Sequence, residues 1–369
     1  MKLTIRKLEI PFKQAFAHAT ATRSCTETVL VQAETPDGIL GVGEGCPRSY
    51  VTGETISTAK KFYDAHRETW EQFRSLEELN EWANSNSQSL DENPASWCAV
   101  ELALFDCWGK EQGQSVETLL NLEELTGPFF YSAVLGTENV AAFEKQAHQF
   151  AALEFCNFKV KVTGNLETDL QNIEFFKHFP IKNLRIRLDA NNFWKTVPEA
   201  VAYLKSLRYP FLAVEEALQV GDYDGCRQIS QELGLQIILD ESFLRVGQFD
   251  HLQRDPQTWI INIRISKMGG ILRSLAIAEE ATVRGISIII GAQVGETSIL
   301  TRAALTVANQ YRNILKAQEG AFGTYLLEQD ITDTPLMFGK GGRLDPHPIS
   351  GQPGLGLNFV PSQAVITEF

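Results

Sequence analysis

Gln236-Ile237-Ile238-Leu239-Asp240-Glu241-Ser242 is a short apolar run that closes on acids. A run with no polar face suits a strand of a parallel sheet, which is buried on both sides. Runs of similar texture are Phe130–Leu135, Phe158–Val162, Leu184–Asp189, Phe211–Glu215, Trp259–Ile265 and Ile286–Gly291, with a weaker one near Ala317–Phe322. Helix-like stretches separate them, so the pattern is one of repeated βαβ units. Eight such units close a (β/α) barrel of about 200–250 residues. The alternative is an open doubly wound sheet. No G-x-G-x-x-G follows an early strand, which weakens a dinucleotide-binding version of it.

Upstream the texture differs. Residues 2–10 alternate in strand fashion, Thr28–Glu34 reads as a second strand and Ile39–Glu44 as a third after the turn Pro36-Asp37-Gly38. Helical spacing then runs through 55–70, 76–86 and 95–110. A meander followed by helices predicts an α+β domain. The expected division is 1–125 for this domain, 126–335 for the barrel and 336–369 for a C-terminal segment. That last segment, rich in Gly and Pro, reads as an ordered extended stretch or as a return to the first domain.

Lys+Arg is 33 against 46 Asp+Glu, a net charge of −13. A nucleic-acid or anionic-membrane partner needs a basic face, which this balance disfavours. A small anionic substrate stays open if a few cations gather in one pocket. The six cysteines form no C-x-x-C pair, so a zinc knuckle is not expected. The first residues, Met1-Lys2-Leu3-Thr4-Ile5-Arg6-Lys7, lack an apolar signal core. No stretch approaches about 18 uninterrupted apolar residues. The expected compartment is the cytoplasm.

In a barrel the chemistry sits where strands end. The second run closes on Lys159-Val160-Lys161, the third on Asp189-Ala190-Asn191, the fourth on Glu215-Glu216, the fifth on Asp240-Glu241-Ser242 and the sixth on Ser266-Lys267. From Lys161 to Asp189 is 28 residues, then 26 to Glu215, 25 to Asp240 and 27 to Lys267. One βα unit is about that long. A lone acid after a strand is usually a helix N-cap or a loop residue; a series at this spacing is not. Three neighbouring carboxylates make a hard oxygen site that suits Mg²⁺, with Mn²⁺ as a relative. Lysines on both sides, beside a cation and each other, have their ammonium form disfavoured and can act as bases. The metal would hold a substrate carboxylate and stabilise the enediolate left when the α-proton departs. Bases on both faces allow epimerisation; one base alone allows β-elimination or cycloisomerisation. Lys159 either orients the substrate carboxylate or lines the mouth. Glu216 reads as structural, and Asn191 and Glu241 as partners that orient the metal ligands.

As a set these residues resemble the enolase superfamily, specifically its muconate-lactonizing-enzyme subgroup. The resemblance rests on Lys159/Lys161, Asp189-Ala190-Asn191, Glu215-Glu216, Asp240-Glu241-Ser242 and Ser266-Lys267-Met268-Gly269-Gly270. Gly43-Glu44, Glu101 to Asp106 with Gly109-Lys110, and Phe338 to Gly342 extend it over nearly the whole chain. It implies an α+β capping domain over a modified TIM barrel, (β/α)7β. It implies Mg²⁺ on Asp189, Glu215 and Asp240, with Lys161 and Lys267 as the acid/base pair. The His that the mandelate-racemase subgroup carries on its seventh strand has no counterpart in Gly291-Ala292-Gln293-Val294. Substrate contacts in this subgroup come from cap loops and the eighth strand. Here those are Phe16-Ala17-His18 with Arg23, and Arg48 to Glu54, where Arg48 would pair a remote carboxylate and Tyr50 would cover the mouth. Dipeptide epimerases of the family carry Asp-x-Asp at the eighth strand; here Ala321 and Gly323 stand in that register, and Glu319 is the substitute. Ala217 stands where the family often has Pro. The expected activity is racemisation or epimerisation of an amino-acid derivative or dipeptide. The alternatives are a cycloisomerase, a dehydrating lyase similar to o-succinylbenzoate synthase, or a non-catalytic barrel. The resemblance also implies a homo-oligomer.

Overall fold

The computed structural model describes residues 1–18, 21–136, 139–179, 181–360 and 365–369, with backbone alone for 14–18 and 21–22. The side chains of Phe16, Ala17 and His18 therefore lie outside the described residues. The chain opens with β1 (Lys2–Leu8), β2 (Pro11–His18), β3 (Ala21–Cys25), β4 (Thr28–Glu34) and β5 (Leu40–Gly45). Strands β1, β4 and β5 form the antiparallel meander. Strands β2 and β3 form a separate hairpin that the sequence pattern did not announce.

Helices α1 (Ile56–Trp70), α2 (Leu76–Ser85), α3 (Ser87–Glu92), α4 (Pro94–Gln112) and α5 (Val116–Leu119) follow. Helix α4 is buried from Pro94 to Gly109 and lies directly on β5. Glycines make that contact possible. A Cβ on Gly41, Gly43 or Gly45 would stand 2.3, 2.1 or 2.0 Å from the carbonyl oxygens of Ala103, Ala99 and Ala95. Two strand residues advance about 6.7 Å and four helix residues about 6 Å, so the two stripes of small residues stay in step.

After β6 (Phe129–Phe130) come the eight parallel strands: β7 (Ala133–Leu135), β8 (Asn157–Lys161), β9 (Arg185–Asp189), β10 (Ala213–Glu215), β11 (Gln236–Leu239), β12 (Trp259–Ile263), β13 (Ser287–Ile290) and β14 (Leu315–Gln318). They neighbour one another in chain order. A bridge between Tyr131 and Gln318 joins the two ends, with the Ser132 N–H donating to the Gln318 carbonyl at 2.8 Å. Helices α6 (Val140–Ala152), α7 (Leu166–Lys177), α8 (Val197–Leu207), α9 (Tyr223–Leu233), α10 (Ile265–Met268), α11 (Ile271–Arg284) and α12 (Ser298–Gln310) make the crossovers. The β11–β12 crossover has only 3₁₀ turns, at Val246–His251 and Pro256–Thr258. The fold is the modified (β/α)7β barrel beneath an N-terminal α+β cap.

Three details differ from the sequence reading. The first apolar run splits into β6 and β7. The eighth strand is Leu315–Gln318, not Ala317–Phe322, because the chain turns away through Gly320 (φ 104°) and Ala321 (φ 50°). The sixth strand stops at Ile263, and Ile265-Ser266-Lys267 form a helical turn, α10.

The first part is stapled to the barrel by buried acids at helix starts. Glu44 accepts from the Thr297 N–H at 3.1 Å and the Thr297 hydroxyl at 2.7 Å, at the head of α12. Glu101 accepts from the Ile271 N–H at the head of α11. Orphan N–H groups of a helix start need such acceptors. Glu117 of α5 pairs with Arg302 of α12, and neither side chain is exposed. The chain's end crosses both parts: β15 (Arg343–Leu344) pairs with β6, and β16 (Ile366–Thr367) pairs with β1. Among the described residues no helix is long and apolar enough to cross a membrane.

Candidate active site

Ala213, Ile238, Ile260 and Ile289 form a small apolar layer of their own, with Ala317 packed on it. These residues lie on β10 to β14, so they fill the barrel's interior. Side chains of a strand repeat with period two. Two residues beyond this layer stand Glu215, Asp240, Asn262, Gly291 and Glu319, and on β8 and β9 stand Lys161 and Asp189. That ring is the mouth. Gly291 is glycine because a Cβ there would meet Asn262 Oδ1 at 2.2 Å.

The three predicted ligands are buried, Asp189 at 3 %, Glu215 at 1 % and Asp240 at 1 % exposure. Asp189 and Glu215 are register partners on adjacent strands. Each carboxylate faces a cation. Lys159 Nζ lies 2.6 Å from Glu319, 3.3 Å from Glu215 and 3.6 Å from Asp189. Lys161 Nζ lies 3.9 Å from Asp189 Oδ2. Lys267 reaches back from α10, donating to Asp240 Oδ1 at 2.8 Å and to the carbonyls of Asp240 and Asn262, each at 2.7 Å. Arg264 donates to Asp240 Oδ2 and lies 4.0 Å from Glu215 Oε1. Asn262 Nδ2 donates to the same Glu215 oxygen at 3.2 Å.

Burial would disfavour the Lys159 ammonium, but Glu215, Glu319 and Asp189 outweigh it and raise its pKa. Lys161 and Lys267 shift the other way: burial lowers both, against the pull of Asp189 and Asp240 respectively. Burial pushes Glu215 well up, with Lys159 opposing. Burial acts upward on Asp240 too, yet Arg264 and Lys267 hold it at about 2.

Among the described residues no three His, Cys, Asp or Glu side chains are gathered closely enough to hold a metal ion. The donor set nevertheless fits one. Asp189, Glu215 and Asp240 offer only oxygen, and two side-chain cations, Lys159 and Arg264, reach in among them. This position calls for positive charge, and hard divalent cations take all-oxygen sites.

The other predicted residues divide. Tyr50, Lys159 and Glu319 line one cleft together with Lys161, Asp189 and Arg264. Arg48 does not line it. Its guanidinium is 1 % exposed and is spent on the backbone carbonyls of Glu27, Pro47 and Val294, at 2.8, 2.8 and 2.7 Å. It ties the cap loop to the loop after β13, which corrects its reading as a substrate contact. Asn191 touches Asp189 through its backbone N–H, at 3.2 Å. Glu241 Oε2 is buried with no hydrogen-bond partner, and burial with Asp240 alongside pushes its pKa up to about 8. Glu216 accepts from the Asp240 N–H (2.6 Å), the Ser242 N–H (2.8 Å) and the Ser242 hydroxyl (2.7 Å). It thus clamps the end of β11. Arg264, Arg187 and Gln293 were missed. Arg264 keeps the two-residue rhythm of Ile260 and Asn262, and that rhythm is the signal that points it inward.

Residues 142–363 match the enolase C-terminal domain-like family, and residues 1–121 match the mandelate racemase / muconate lactonizing enzyme N-terminal domain. The chain belongs to the enolase superfamily. It is 26 % identical to a hydrophobic dipeptide epimerase of Enterococcus faecalis, over 86 % of this chain and 90 % of that one. It is 25 % identical to an N-succinyl-L-Arg/Lys racemase of Bacillus cereus, over 84 % of each. The structure of muconate lactonizing enzyme from Pseudomonas fluorescens superposes with a TM-score of 0.86 at 23 % identity, covering 97 % of this chain and 96 % of that one.

Proposed function

We propose that this member of the superfamily is a Mg²⁺-dependent racemase or epimerase that removes the α-proton of a carboxylate substrate, an amino-acid derivative or dipeptide. The observation that carries the reading is the placement of Lys161 against Asp189 and of Lys267 against Asp240, one lysine at each end of the carboxylate row. Mg²⁺, or Mn²⁺ in its place, held by Asp189, Glu215 and Asp240 would supply the positive charge that stabilises the enediolate. Lys161 and Lys267, both shifted down by burial, serve as base and acid on opposite faces of the α-carbon. Lys159 stays charged and orients the substrate carboxylate. Tyr50 covers the mouth, Glu319 holds Lys159, and Asn191 and Glu241 steady the ligands. The six cysteines, all free, fit a reducing cytoplasm.

The test is α-proton exchange in D₂O across dipeptides, N-acyl amino acids and dicarboxylates, with Mg²⁺, with EDTA, and with Lys161→Ala or Lys267→Ala. The expected result is metal-dependent exchange with inversion, lost on one face in each variant. Exchange surviving loss of both lysines refutes their roles. Exchange without inversion moves the reading to a lyase or cycloisomerase, and no exchange on any carboxylate overturns it.

A further inference from the structure

Asp169 lies in the first turn of α7, is 4 % exposed and does not line the cleft. A carboxylate is costly to bury unless donors meet it. Three donors do. The Thr163 N–H donates to both its oxygens, at 3.2 and 3.1 Å, and the Thr163 hydroxyl donates to Oδ1 at 2.8 Å. The Tyr203 hydroxyl, from α8, donates to Oδ2 at 2.6 Å. Helix α7 does not need this acid as its cap, because the Asn165 side chain already accepts from the Thr168 N–H at 3.1 Å.

Thr163 stands two residues past Lys161, the last residue of β8. Up to Lys161 the strand is held by its ladder with β9, and the Val162 N–H adds one bond, to the Asp189 carbonyl at 2.8 Å. There the chain leaves the sheet, and the Asp169 carboxylate holds the next residue. The turn is tight: Gly164 has φ +84°, and a Cβ there would stand 2.8 Å from the Phe193 ring. On the neighbouring strand, a Cβ on Gly136 would stand 2.7 Å from Lys161 Cδ, so the lysine stem lies against bare backbone just past β7. A lysine stem is flexible by itself. Here its root is anchored through Thr163 and its course is set by Gly136.

We infer that Asp169, itself held by Tyr203, is a positioning residue for Lys161: it fixes the end of β8 so that the ammonium stands at its place beside Asp189. The inference rests on the function proposed above, in which Lys161 serves one face of the α-carbon and Lys267 the other. It predicts a defect confined to one face.

The test takes a carboxylate that exchanges in D₂O with Mg²⁺ and follows its L and D forms separately. Lys161→Ala first shows which form depends on Lys161. Asp169→Ala should then lower kcat for that form by about 10–100-fold with KM nearly unchanged, the cost of a base misplaced by about 1 Å, and leave the other form within about twofold. Thr163→Val keeps the shape and removes one donor to the charged carboxylate; it should give the same one-sided loss, by about tenfold, and serves if Asp169→Ala does not fold. Equal losses on both forms, as from a general weakening of the barrel, or no loss on either, overturn the inference and leave the proposed chemistry standing. If no carboxylate exchanges in the wild type, the proposed chemistry falls. Crystal structures of wild type and Thr163→Val then decide the positioning by themselves: Lys161 Nζ should shift by about 0.5–1 Å relative to Asp189, and an unmoved Lys161 overturns the inference.

Discussion

Arg302→Met is the sharpest test of how the barrel and the first part are joined. Arg302 donates to Glu117 through Nη1 at 2.9 Å and Nη2 at 2.6 Å, to Thr306 Oγ1 at 2.9 Å, and through Nε to the Leu355 carbonyl at 2.8 Å. Methionine fills similar space but strands the Glu117 carboxylate, left with the Thr306 hydroxyl at 2.7 Å. Removing one partner of a buried pair costs about 3–5 kcal/mol. At about 2.1 cal/mol/K per residue, a chain of this length has an unfolding entropy of about 0.8 kcal/mol/K, so the melting temperature should fall by about 4–6 °C. Replacing both partners by apolar groups of similar volume is often close to neutral. Glu117→Met with Arg302→Met should therefore recover most of the loss. Acid adds a second reading. Burial acts upward on Glu117, but Arg302 outweighs it and holds its pKa below the ordinary value, so the pair's contribution is present above the unfolded pKa and is lost as pH falls through the folded one. The gap between wild type and Arg302→Met should narrow on acidification. Scanning calorimetry across pH checks both points. A double variant that melts as low as the sum of its singles would refute the reasoning.

Gly270→Ala should destabilise by at least about 2 kcal/mol, since φ is +100° and the Cβ would stand 2.1 Å from Glu101 Oε2. The same shift would displace Lys267 just upstream, so exchange and melting temperature should fall together. Burial raises Glu44 and Glu101 from 4.5 to about 8. The folded chain keeps protons that the unfolded chain has released, so the contribution of these two groups to stability is fullest below about pH 4.5 and declines as pH rises toward about 8. Glu101→Gln should flatten that slope in melting curves between the two limits. Glu216→Gln leaves β11 unclamped beside Asp240 and should weaken Mg²⁺ binding by about 10–100-fold, the usual cost of losing a residue that orients a ligand. Isothermal calorimetry reads it directly; an unchanged affinity would sink the clamp.

The barrel was legible because its strands are nearly all apolar and recur at the length of one βα unit. The position of Asp189, Glu215 and Asp240 at the ends of their strands was legible because each closes such a run. Lys267 was found by spacing yet placed on the wrong element, since Ile265 continues the apolar texture while Gly269 (φ 87°) already ends a helical turn. Arg48 misled because an arginine in a polar loop looks available, and only three-dimensional contact shows three carbonyls using it. Glu319 was picked as a lone acid near the eighth strand; that it serves two cations depends on Lys159 and Arg187, register partners on β8 and β9. The hairpin β2–β3 stands apart from the meander, and Pro11-Phe12-Lys13-Gln14-Ala15-Phe16-Ala17-His18 shows no strict apolar alternation to mark it.

Glu101 supplies an acceptor at the head of α11, whose cap residue Gly270 has no side chain to offer, and Glu44 adds one for the Thr297 N–H at the head of α12. A barrel transplanted under a foreign cap would arrive with the start of α11 unsatisfied and a hollow at Gly270 shaped for a carboxylate it no longer meets.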